Sequence, residues 1–98
     1  ENQIVCISRA LYSDHQIYLF DEAFSHLDSS MQNRALSAVK RMLRSKIVVI
    51  ASHDINVLKE LDVILCMDNG RLVEVGDVRQ LQQNRSIFSG LFNSAVYC

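Results

Sequence analysis

Ninety-eight residues with a formal net charge of −1 amount to one domain at most, and so small a charge does not suggest nucleic acid as a partner. With 49% hydrophobic and 21% charged residues, the chain can bury a core, yet no apolar run approaches the ~20 residues a membrane-spanning helix needs. Nothing at the N-terminus resembles a signal peptide. Cys6, Cys66 and Cys98 are odd in number, far apart and without metal-ligand spacing. They are expected to be reduced thiols, two of them in the core, as suits a cytosolic setting.

From Gln3 to Ser13, Ile4, Ile7 and Leu11, with Val5 and Tyr12, recur at helical spacing. Since the chain opens on Glu1 and already reads as the inside of a helix, a fragment is expected. Ile17 to Phe20 is a short continuous apolar run, which predicts a strand buried on both faces. Two acids, Asp21 and Glu22, follow it directly. Asp28-Ser29-Ser30 supplies N-cap chemistry for a helix striped by Met31, Ala35, Leu36, Val39, Met42 and Leu43. Lys40, Arg41 and Arg44 lie near its C-terminal end, where cations oppose the negative end of the dipole.

Ile47 to Ala51 predicts a second buried strand, rich in β-branched residues and ended by Ser52-His53-Asp54. Ile55 to Leu61 reads as a short helix. Val63–Met67 and Leu72–Val75 are strand-like and joined through Asn69-Gly70, the strongest short hairpin signal. Asp77 to Gln83 and Ser86 to Ser94 predict two closing helices. Alternating strands and helices argue for an α/β layered fold with a parallel sheet, whose ligands sit at the carboxyl ends of the strands. Asp21-Glu22 and Ser52-His53-Asp54 both fall there.

An acid at the end of a buried strand can hold a hard divalent cation, and a neighbouring carboxylate can deprotonate a water that attacks a phosphate. An acid pair can equally end a strand and cap the following turn. His53 either positions a phosphate through its imidazole or is satisfied by backbone at a strand end. Asp28 reads as a helix cap. No glycine-rich loop of the form GxxxxGK followed by Ser or Thr occurs in the chain.

Taken in order, the segments resemble the C-terminal half of an ATP-binding cassette, the motor domain of ABC transporters, over nearly the whole chain. "ENQIVCISRAL" resembles the end of the signature motif and its helix, LSGGQxQRxxxARAL, with Glu1 at the last position of LSGGQ. "IYLFDE" resembles Walker B, "SHLD" the D-loop and "IVVIASHD" the strand leading to the switch histidine. "MDNGRLVEVGD" is similar to the hairpin that follows it.

The resemblance implies a partial P-loop NTPase-type layered fold, with mainly parallel strands and a C-terminal hairpin plus helices, residues 1–98 forming the C-terminal part of one cassette. It implies ATP and Mg²⁺ as cofactors, with Asp21 coordinating the metal, Glu22 as catalytic base and His53 contacting the γ-phosphate. Glu1, Ser25 and Asp28 are implied to lie at the nucleotide site that two cassettes share. The implied partners are a second nucleotide-binding domain and the transmembrane domains of a transporter, at the cytoplasmic face of a membrane. Gln3 is expected to support the signature helix.

The sequence departs from the family pattern at several positions. Ile4 replaces the usual Arg, Phe24 the usual Thr and His26 a small Ala, and bulk at 24 and 26 is expected to alter interface packing. Without Walker A and its lysine, no cradle for the β- and γ-phosphates lies within these residues, so the chain alone is expected to be inactive and to expose apolar sheet faces. The expected function is ATP binding and hydrolysis in a cassette dimer coupled to transport, the tail "LQQNRSIFSGLFNS" favouring an exporter. The alternatives are a non-transport cassette ATPase of DNA maintenance or translation, and a non-enzymatic remnant or interaction module.

Overall fold

The structure is a computed structural model and describes residues 2–83. The segment 84–98, with the closing helix expected at Ser86–Ser94 and with Cys98, lies outside the described residues, as does Glu1. The chain divides into two compact units, one ending at His53 and the other starting at Asp54.

In the first unit the order is α1 (Asn2–Tyr12), β1 (Ile17–Asp21), α2 (Ser29–Met42) and β2 (Ile47–Ala51). Helix α1 buries Ile7, while Val5 and Tyr12 remain exposed. Asp28 caps α2 as its residue type predicts, its carboxylate accepting from the Met31 N–H at 2.8 Å. The helix turns Gln32, Ala35, Leu36 and Val39 inward, a stripe at helical spacing. Lys40 and Arg41 occupy its last turn.

Strands β1 and β2 pair in parallel from Ile17↔Ile47 to Asp21↔Ala51 and form a two-stranded sheet. The expectation that these strands are buried on both faces is corrected. Tyr18 and Phe20 are buried, but Ile17 is 62% and Leu19 71% exposed, and Ile47 and Val49 are exposed beside them. A two-stranded sheet covered on one face leaves alternate side chains in solvent, because successive residues point to opposite sides. The predicted exposure of apolar sheet surface is thus observed among the described residues.

The second unit contains α3 (Ile55–Leu58), β3 (Ile64–Asp68), β4 (Arg71–Gly76) and α4 (Val78–Gln83). Asp54 caps α3, accepting from the Asn56 N–H at 2.9 Å. The helix expected to reach Leu61 ends at Leu58 and continues only as a turn, with Glu60 and Leu61 donating three residues back. Strands β3 and β4 form the expected antiparallel hairpin. Asn69 (φ 50°) and Gly70 (φ 76°) both adopt positive φ, as a type I′ turn requires. Asp77 and Gln80 exchange backbone and side-chain hydrogen bonds at 2.8 and 3.0 Å, a capping box that starts α4. The core here is Leu58, Ile64 and Leu81, with Ile55, Leu61, Cys66 and Val78 packed against it. One strand pair is parallel and the other antiparallel, so the described strands are mixed rather than mainly parallel.

The cysteine expectation also changes. Cys6 is exposed and Cys66 half-buried. Burial, and then the facing Glu74 carboxylate, push the Cys66 thiol above its ordinary range. Since the thiolate is the reactive form, Cys6 is expected to be alkylated by iodoacetamide well before Cys66 at neutral pH. Peptide mapping over a time course checks this, and equal rates would contradict the burial of Cys66.

Candidate functional site at the carboxyl ends of the parallel strands

The parallel register ends both strands at the same level, Asp21 beside Ala51. The ladder runs one rung further, with the Glu22 N–H donating to the Ala51 carbonyl at 2.9 Å. Two residues past Ala51, His53 folds back to Glu22, its Nδ1 lying 2.9 Å from Glu22 Oε1. The carboxylate accepts, so the imidazole donates through Nδ1. The His53 side chain is 81% and that of Glu22 41% exposed. A pair this open contributes little to folding; its effect is to fix where the carboxylate and the ring lie.

Glu22 takes a backbone conformation that L-residues disfavour, with φ 52°. The left-handed region costs roughly 1–2 kcal/mol for a side-chain-bearing residue, and such strain clusters at functional sites. Neighbouring groups hold it. The Glu22 carbonyl accepts from Gln3 Nε2 at 3.0 Å, from Ser25 Oγ at 3.0 Å and from the Ser25 N–H at 3.4 Å. Gln3 Nε2 also meets Ser25 Oγ at 3.1 Å, and Gln3 Oε1 accepts from the His26 N–H at 2.8 Å. Because a backbone N–H can only donate, this last bond fixes which way the Gln3 amide faces. At about 0.5–1.5 kcal/mol net per hydrogen bond, the Gln3 contacts are of the size needed to offset the strained φ.

A second glutamine holds the same loop from below. Gln32, 4% exposed on α2, donates to the Phe24 carbonyl at 3.0 Å. Phe24 itself is buried and lies against Phe20, ring centroids 5.8 Å apart. The expectation that bulk at position 24 alters an interface is therefore corrected: this side chain points into the core, and an aromatic ring there fills apolar space. His26 does remain exposed.

The structure thus brings Glu22 and His53 into contact and places Asp21 next to them at the strand end. Asp21 is exposed, and its carboxylate has no hydrogen-bonding partner among the described residues. Ser25 acts on the Glu22 backbone, and Asp28 caps α2. Glu1 lies outside the described residues. Among those residues no group of three or more His, Cys, Asp or Glu side chains could hold a metal. A single strand-end carboxylate still fits Mg²⁺, which is commonly held by one or two carboxylates together with substrate phosphates and water. Sequence reasoning missed Gln3 and Gln32 as struts of the acidic loop. Gln32 at a core-facing position of an otherwise apolar stripe was the available signal.

No family model matches the chain. It is 32% identical over 94 residues to the ATP-dependent lipid A-core flippase of Saccharophagus degradans, an alignment covering 96% of this chain and 16% of that protein. Against the beta-(1→2)glucan export ATP-binding/permease protein NdvA of Agrobacterium vitis, it is 33% identical over 95 residues, covering 97% and 16% respectively. The solved structure of a bacterial Atm1-family ABC exporter with ATP bound matches with a TM-score of 0.87 and 30% identity, over 93% of this chain and 16% of that one. Its relatives are ABC exporters. The chain spans about 16% of the length of these curated exporter relatives. No helix among the described residues is long and apolar enough to cross a membrane, so the exporter match falls on a segment without a described membrane span.

Proposed function

We propose that these residues form the part of an ABC exporter's ATP-binding domain that carries the hydrolytic carboxylate and the histidine paired with it. Glu22 is the general base. Its carboxylate takes a proton from a water whose oxygen bonds to the γ-phosphorus as the bond from that phosphorus to the β–γ bridging oxygen breaks. His53 orients the carboxylate in the resting site and donates a hydrogen bond to the γ-phosphate when ATP is bound. Mg²⁺, held in part by Asp21, would supply charge neutralisation for the phosphates. Ser25 and Asp28 belong to the loop that faces a second nucleotide-binding domain, and Glu1 approaches the nucleotide held by that partner. Hydrolysis at the cytoplasmic face of the membrane drives export through the transmembrane domains.

The observation that carries this reading is the 2.9 Å contact between Glu22 and His53 at the ends of parallel strands. Ligands of parallel α/β sheets bind at the carboxyl ends of the strands. The names of the relatives, flippase and export ATP-binding/permease protein, supply the transport class. The 98 residues include no glycine-rich phosphate cradle, so turnover requires one supplied from elsewhere.

The test is steady-state ATP turnover by the full-length protein that contains this segment, with and without His53→Ala. Turnover is expected in the wild type and a fall of about 100-fold in the variant, the size of effect seen when one preorganised donor is removed. A wild-type protein that binds no ATP, or an unimpaired His53→Ala variant, would sink the reading.

A further inference from the structure

We propose that Gln3 is a positioning residue for Glu22: its carboxamide holds the backbone of the acidic loop in the strained conformation that aims the Glu22 carboxylate at His53. The proposal rests on the reading of Glu22 as general base and adds a residue to which that reading assigns no part in turnover.

Glu22 is fixed at three points: its N–H on Ala51, its carboxylate on His53 and its carbonyl under the donors of Gln3 and Ser25. The first two come from the adjoining strand β2 and the residue just past it, whereas Gln3 lies on α1, nineteen positions earlier in the chain. A single carboxamide engages three consecutive features of the loop: the Glu22 carbonyl, the Ser25 hydroxyl and the His26 N–H. Its two hydrogens and its oxygen are all used. No shorter side chain spans these groups, and no aliphatic one satisfies them. Without the Gln3 donors, Glu22 can relax from φ 52° towards the ordinary negative region. Rotation about φ swings Cβ and the carboxylate away from His53. A displacement of about 1 Å at a reacting group can cost 100-fold in rate. The loss therefore falls on the chemical step and not on nucleotide affinity.

The experiment uses the full-length protein with Gln3→Ala, Gln3→Glu, Glu22→Gln and the Gln3→Ala/Glu22→Gln double variant, and measures kcat and KM for ATP. Gln3→Glu keeps the chain length and the acceptor for the His26 N–H but cannot donate to the Glu22 carbonyl. Both Gln3 variants are expected to lose at least about tenfold in kcat with KM within about twofold of wild type. Because Gln3 acts through Glu22, Gln3→Ala should add no further loss on the Glu22→Gln background. Wild-type kcat in Gln3→Glu would overturn the proposal. So would an equal loss on both backgrounds, or a change confined to KM, since each marks a role in folding or binding instead. If Glu22→Gln itself turns over normally, the base assignment fails; if it is inactive while the Gln3 variants are unimpaired, only the positioning role fails.

Discussion

Replacing Glu22 by glutamine in the full-length protein is expected to lower ATP turnover by about 10²–10⁴-fold, the usual contribution of a general base, with ATP binding retained. Glutamine is nearly isosteric, and its carbonyl oxygen can still accept from His53 Nδ1 where Glu22 Oε1 now does. The backbone locks on Ala51 and Gln3 involve no side-chain atom of residue 22 and survive the change. Only basicity is removed. Nucleotide affinity measured beside single-turnover hydrolysis reads the two separately. Retained affinity with lost chemistry supports the base assignment, and turnover within about tenfold of wild type would assign the proton transfer to another group.

Phe24→Ala is expected to destabilise the first unit by about 3–5 kcal/mol, the usual cost of emptying a buried aromatic site. That is a large share of the roughly 5–15 kcal/mol that holds a whole domain folded. Phe24 is 2% exposed and lies against Phe20 directly beneath the acidic loop. Its carbonyl receives the buried Gln32 amide. A cavity there would loosen both the core and the seat of Glu22. Phe24→Thr, which restores the residue usual in the family resembled, should cost about as much, because it removes the ring and adds a hydroxyl to a dry site. Limited proteolysis and hydrogen exchange of the full-length protein over residues 17–43 measure the effect. Wild-type protection in Phe24→Ala would show that the ring carries no packing.

Local chemistry was legible in the sequence wherever one residue's own side chain decides the outcome. Asp28 caps α2, Asn69-Gly70 makes the hairpin turn, and the apolar runs at 17–20 and 47–51 are strands. The acids and His53 fall at the strand ends, where the alternation of strands and helices predicted them. Burial on both faces was not legible, because Ile17-Tyr18-Leu19-Phe20 reads the same whether one or two layers cover the sheet. Which cysteines are covered was not legible either, because a small sulfhydryl such as that of Cys6 beside Ile7 gives no hint of which side of the helix is buried. The work of Gln3 was invisible for a different reason: its partners lie nineteen to twenty-three positions away, and no spacing rule connects a glutamine to a distant carbonyl. Phe24 looked like bulk on a surface loop, and only the turn that follows Glu22 sends it inward.

The in-phase ladder between β1 and β2 also limits which changes of chain length the site can absorb. Residues 43–46 make a turn whose length the pairing does not depend on, so an insertion there leaves Asp21 opposite Ala51. One residue added between Ile47 and His53 is another matter. It displaces the histidine by about 3.3 Å along the strand and reverses the side to which every later residue points. Both strands would remain strands, and Tyr18 and Phe20, which lie before the insertion in the chain, would keep their burial, but Glu22 and His53 would no longer meet. Descendants of this sequence can therefore change the length of the helix-to-strand turn, provided Leu43 stays buried, but hardly that of the seven residues after it.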